Sequence, residues 1–66
     1  MLEKRSFSLS GHRTSIALEA EFWTALEAIA EARTRSLAAI IGDIDSTRAP
    51  EQPLASALRV YALSKK

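Results

Sequence analysis

The 66-residue chain is predicted to be mainly α-helical with a short β-strand, paired in a two-stranded antiparallel ribbon either with residues 5–9 or with its own copy in a second chain, and with a third, C-terminal helix. Three observations lead there. Apolar residues alternate with a period of two ahead of Glu19 and with a helical period after it. A solitary strand cannot satisfy its backbone N–H and C=O groups in a folded core, so it needs a second strand. A chain this short buries too little surface alone and needs disulfides, a metal or a partner chain. It has no Cys and one His, which leaves association as the remaining route.

The alternation comes in two pieces. Phe7 and Leu9 are set between Ser6, Ser8 and Ser10. After Ser10-Gly11-His12 the pattern resumes, with Thr14, Ile16 and Leu18 on one face and Arg13, Ser15 and Ala17 on the other. Gly11 reads as a break or bulge between them. Residues 1–12 are therefore taken as an N-terminal arm, part-extended, and 13–18 as the strand. The sequence leaves open whether 5–9 join the ribbon.

From Glu19 onward the period is helical. Phe22, Leu26, Ile29 and Ala30 form an apolar stripe with Trp23 beside it, and Glu19 and Glu21 suit the positive end of the helix dipole. This helix should end near Arg33-Thr34-Arg35. A second begins after Ser36 as N-cap, with Ala39 where a capping box would carry Glu or Gln. Its stripe is Leu37, Ile40, Ile41 and Ile44, flanked by Asp43 and Asp45, which can pair with Arg48 or with a partner chain. Gly42 costs about 1 kcal/mol against Ala in a helix, so it reads as a point of close helix packing. The helix should fade by Arg48, ahead of Pro50. Residues 13–48 thus form the core unit, 49–52 a linker and 53–66 a C-terminal helix. Pro53 suits that helix's first turn, Leu54, Ala57, Leu58 and Tyr61 form its stripe, and Arg59, Lys65 and Lys66 suit its C-terminal end.

Composition narrows the function. Net charge is only +1, but Lys4, Arg5 and Arg13 crowd the start, Arg33 and Arg35 a junction, and Glu19, Glu21, Glu27 and Glu31 the first helix. Such a surface can present one basic side to nucleic acid. No apolar run approaches the roughly 18 residues of a membrane span. Neither an h-region nor a Cys is present, which fits a cytoplasmic protein. There is no Ser-His-Asp set, no phosphate-cradling Gly loop and no carboxylate pair placed for acid–base work. We therefore expect no enzyme, no cofactor and no metal. His12 reads as a turn residue, or as one that meets its copy across a dimer.

A ribbon with Arg13, Ser15 and Ala17 on its free face fits the major groove, which admits two β-strands. Arg13 can donate to both guanine O6 and N7, Ser15 can donate or accept, and Ala17 can touch a thymine methyl. The plain alternatives are a solvated cation, an ordinary exposed serine and a filler methyl.

The string Gly11-His12-Arg13-Thr14-Ser15-Ile16-Ala17-Leu18-Glu19 is followed by Glu21-Phe22-Trp23, Leu26, Ile29-Ala30 and Ile44-Asp45, then by Leu54-Ala55-Ser56-Ala57-Leu58-Arg59-Val60. This order resembles ribbon-helix-helix proteins of the MetJ/Arc type, and in particular small bacterial ones with a Gly-His-Arg-Thr-Ser opening. The resemblance spans about residues 4–63. It implies an intertwined homodimer with an intermolecular two-stranded antiparallel ribbon, acting as a sequence-specific DNA-binding transcriptional regulator, a repressor, on double-stranded DNA. Arg13, Ser15 and Ala17 would read bases, and the backbone N–H groups of Ser36, Leu37 and Ala38 would grip a phosphate, as helix N-termini do. Arg33 and Arg35 would add phosphate contacts, and Lys4 and Arg5 would do so as a basic arm. One departure stands out. Related proteins carry Gly or Asn in the interhelical turn, and a β-branched Thr34 at positive φ would be strained, which points to a turn built differently. Two further readings remain: an antitoxin-like DNA-binding protein whose C-terminal helix engages a protein partner, and an interaction module without DNA binding.

Overall fold

A computed structural model of the chain describes residues 1–64. Strand β1 (Leu2–Leu9) and strand β2 (His12–Glu19) are followed by helices α1 (Ala20–Ala32), α2 (Leu37–Thr47) and α3 (Leu54–Ser64). Lys65 and Lys66, expected at the end of the third helix, lie outside the described residues.

The two strands form an antiparallel hairpin within one chain. Residues expected as an arm are thus a full strand, and β2 runs one residue further at each end than 13–18. The register runs from Leu2 opposite Glu19 to Leu9 opposite His12. Gly11 is not a bulge. Ser10 (φ 51°) and Gly11 (φ 81°) are the two central residues of the turn, both left-handed. That is the backbone of a type I′ turn, whose twist matches the flanking strands. Charges disguise β1 in the sequence, yet its alternation holds: Arg5, Phe7 and Leu9 face the helices, and Lys4, Ser6 and Ser8 face away.

The inner face of the hairpin supplies Leu9, Ile16 and Leu18 to the core, with Phe7 packed against it. From α1 come Trp23, Leu26 and Ala30, from α2 Ile40, Ile41 and Ile44, and from α3 Ala57, Leu58 and Ala62. The α1 stripe is therefore rotated from the expected one. Trp23, 1% exposed, is central, while Phe22 and Ile29 lie on the margin. The Trp23 indole N–H explains the rotation: it donates to the Glu3 carbonyl at 2.8 Å. A buried indole needs such an acceptor, and a strand's backbone provides one.

Each connection has a local cause. No residue separates β2 from α1, since Glu19 ends the strand and is the N-cap of the helix. Between α1 and α2 the chain makes a Schellman-type turn. Arg35 N–H donates to the Ala30 carbonyl at 3.0 Å and Thr34 N–H to the Glu31 carbonyl at 3.1 Å. Thr34 holds φ 55°, so the left-handed turn forms despite the β-branched side chain, and the expectation of a differently built turn is corrected. Ser36 caps α2 as expected, its hydroxyl accepting from Ala39 N–H at 3.1 Å. Gly42 does not mark close packing: a Cβ placed there meets nothing within 4 Å. Pro53 precedes α3 and its carbonyl accepts the Ala57 N–H at 3.0 Å.

Candidate nucleic-acid interface

Antiparallel register decides which side chains share the outer face of the hairpin. Directly opposed residues point the same way. Lys4 thus lies beside Ala17, Ser6 beside Ser15, and Ser8 beside Arg13. Lys4, Ser6, Ser8, Arg13 and Ser15 are exposed and Ala17 is half-buried. None of these residues belongs to the core. The side chains are already joined across the strands. The Arg13 guanidinium donates to the Ser8 hydroxyl at 3.1 Å, and the Ser6 and Ser15 hydroxyls share a hydrogen bond at 3.2 Å. Opposed pairs that do not exchange backbone bonds approach most closely, at about 4.5 Å between Cα atoms. In a two-residue hairpin closed by Leu9 and His12, these pairs fall in that class.

The other expected contact residues divide between faces. Lys4 lies with Arg13 on the outer face, whereas Arg5 turns inward. Its guanidinium sits 4.8 Å from the Trp23 ring centroid and bonds to Glu27 and Glu3, each at 2.7 Å. Those carboxylates, Glu27 first, raise the Arg5 pKa above its ordinary value. Arg5 thereby straps β1 to α1.

The start of α2 offers the N–H groups of Leu37 and Ala38, which have no carbonyl one turn back within their helix. Arg33 and Arg35 flank this end on the turn that precedes it. Arg33 lies 5.8 Å from the Tyr61 ring centroid, and Arg35 forms an ion pair with Asp43 that raises its pKa. Asp45 pairs with Arg48 at 3.0 Å, as the spacing suggested.

Sequence reasoning missed Ser6 and Ser8. The signal was present in the period-two pattern of residues 4–9 and in the Ser10-Gly11 dipeptide, a recognised turn signal. No group of three or more His, Cys, Asp or Glu suited to a metal exists among the described residues. Among them, no helix is long and apolar enough to cross a membrane.

Comparison with known proteins agrees with this architecture. No curated protein and no solved structure matches the chain. The family model for the ribbon-helix-helix domain matches residues 2–65, nearly the whole chain and every element from the hairpin to α3. The chain therefore belongs to the ribbon-helix-helix domain family, whose members are DNA-binding regulators.

Proposed function

We propose that the protein is a sequence-specific transcriptional repressor that reads the major groove with its β-ribbon and acts as a homodimer. The observation that carries this reading is the outer face of the hairpin. Arg13, Ser15 and Ala17 stand there outside the core, in a row with Ser6, Ser8 and Lys4. A polar, cationic strand face with no packing duty is what base-edge recognition requires. Ser36, Leu37 and Ala38 at the start of α2 bind a backbone phosphate, with Arg33, Arg35 and Lys4 adding positive potential, while Arg5, expected to join them, is neutralised by Glu3 and Glu27.

Two features support association of copies. Among the described residues β2 has a strand on one edge and none on the other, so the second edge can take a β2 from another chain. Val60 and Leu63 of α3 are large apolar side chains left exposed, at 57% and 60%. The antitoxin-like reading asks for a tail that orders on a protein partner. Here α3 contributes Ala57, Leu58 and Ala62 to the core, which favours the regulator reading.

The test is selection of bound sequences from random duplex DNA by wild type and by Arg13→Ala, followed by affinity against salt. A short inverted or tandem motif that relaxes in Arg13→Ala is the expected result. Salt-sensitive binding without a motif means backbone recognition only. No binding even at low salt rejects the DNA reading in favour of a protein-interaction module.

A further inference from the structure

We propose that the groove between α1 and α3 is covered by a second copy of this chain, with Leu63 of each copy seated in the groove of the other. The inference rests on the homodimer reading above and deepens it, because it assigns the helical half of the interface to α1 and α3.

Residue pattern is the first support. The core side of α1 is Trp23, Leu26 and Ala30. A helix with one side buried should carry polar and charged residues on the other. The far side of α1 instead carries Ala25, Ala28, Ile29 and Ala32, and with Ala62 of α3 these line an open groove of about 620 Å³. Ala28 and Ala32 are exposed. A helix apolar on both sides belongs where both sides are covered. In α3, Ala57, Leu58 and Ala62 are buried, while Val60 and Leu63 stand outward, exposed at 57% and 60%. Leu63 lies between Ala62 and Ser64, and both of these line the groove. A large apolar side chain thus adjoins an unfilled hollow. A two-fold contact uses such a surface well, since each copy offers both the knob and the hole.

Position is the second support. Of the helices, α1 and α3 pack against β2 and α2 against β1. The groove therefore lies under the strand that has an edge to offer a second β2. Paired strands lie about 4.8 Å apart and packed helices about 8–10 Å apart. A copy that pairs through β2 brings its own α1 and α3 against these two.

Charge is the third support. No carboxylate lines the groove among the described residues, and its cation, Arg33, lies against the Tyr61 ring. Arg59, the one charged residue of α3, is paired with Glu19. Two copies meet across this surface with little like-charge repulsion, and an anionic partner finds little there to hold it.

The experiment is sedimentation equilibrium of the full chain without DNA, on wild type, Ala28→Glu, Leu63→Glu and Ala49→Glu. Ala49 is an exposed control outside the groove. Wild type should be a dimer. Ala28→Glu and Leu63→Glu should each weaken association about 100-fold, since each substitution enters the dimer twice, and Ala49→Glu should leave it unchanged. Circular dichroism checks the fold. Where the lone chain unfolds, the loss appears as a Tm below wild type at equal concentration that climbs as the variant is concentrated. If wild type is a dimer and both groove variants associate as it does, the groove has another occupant and this inference is wrong, while the homodimer reading stands on β2. A wild type that stays monomeric at millimolar concentration rejects the homodimer and this inference together.

Discussion

Replacing Thr34 with glycine should stabilise the protein. Thr34 is at φ 55°, where an L-residue's Cβ crowds the backbone at a cost of about 1–2 kcal/mol, and the β-branched side chain lies at the upper end. Thr34 is exposed and its side chain makes no hydrogen bond, so nothing in the folded state is lost with it. Against this gain, the glycine adds about 0.4–1 kcal/mol of unfolded-chain entropy. The net is about 1 kcal/mol in favour of Thr34→Gly. For a domain of this length that raises Tm by about 4–8 °C. Thermal unfolding followed by far-UV circular dichroism measures it, with both proteins at one concentration because association shifts Tm. Arg33→Gly is the control. Arg33 has φ −94°, so glycine relieves nothing there and should lower Tm. A Thr34→Gly variant that melts at or below wild type would refute the reasoning, because strain at that position would then contribute nothing.

Gly42→Ala should add about 1 kcal/mol, since it raises helix propensity in α2 and the new methyl meets nothing within 4 Å; urea unfolding reads the gain. Trp23→Ala should remove about 3–5 kcal/mol, a large part of the roughly 3–10 kcal/mol available to a chain of this length, and leave a largely unfolded protein by circular dichroism. Trp23→Phe, which mainly loses the bond to the Glu3 carbonyl, should fold with a lowered urea midpoint. Glu19 carries a pH dependence. Its own backbone N–H, then the Arg59 guanidinium at 3.0 Å, lower its pKa below the ordinary glutamate range. A carboxyl with a depressed folded pKa contributes stability above its unfolded value and loses it as pH falls through the folded one. Urea midpoints should thus decline on the acid side of the ordinary glutamate range, and Glu19→Gln should flatten part of that decline.

The helices were legible because their periods are carried by large aliphatic residues. Ile40, Ile41 and Ile44 are buried as their spacing requires, and Ser36 caps α2. The outer face of β2 was legible for the same reason, since Ile16 and Leu18 leave Arg13 and Ser15 on the other side. What escaped depends on contacts distant in sequence. β1 looked like a charged arm because Glu3, Lys4 and Arg5 mask its alternation; Arg5 is at an inward position only because Trp23 and Glu27 receive it. Trp23 displaced Phe22 at the centre because a carbonyl twenty residues earlier accepts its N–H. Thr34 was expected to avoid positive φ, yet two backbone hydrogen bonds across the turn hold it there.

The hairpin keeps its two faces strictly apart, and this separates two kinds of mutational freedom. Leu9, Ile16 and Leu18 answer to the core, while Ser6, Ser8, Arg13 and Ser15 answer to whatever lies outside. Substitutions on the outer set leave packing volume untouched, so specificity can change without a compensating change inside. With no linker between Glu19 and α1, a redesigned face keeps its orientation to the helical body. The scaffold thus suits libraries in which those positions are randomised and the rest of the chain is left alone.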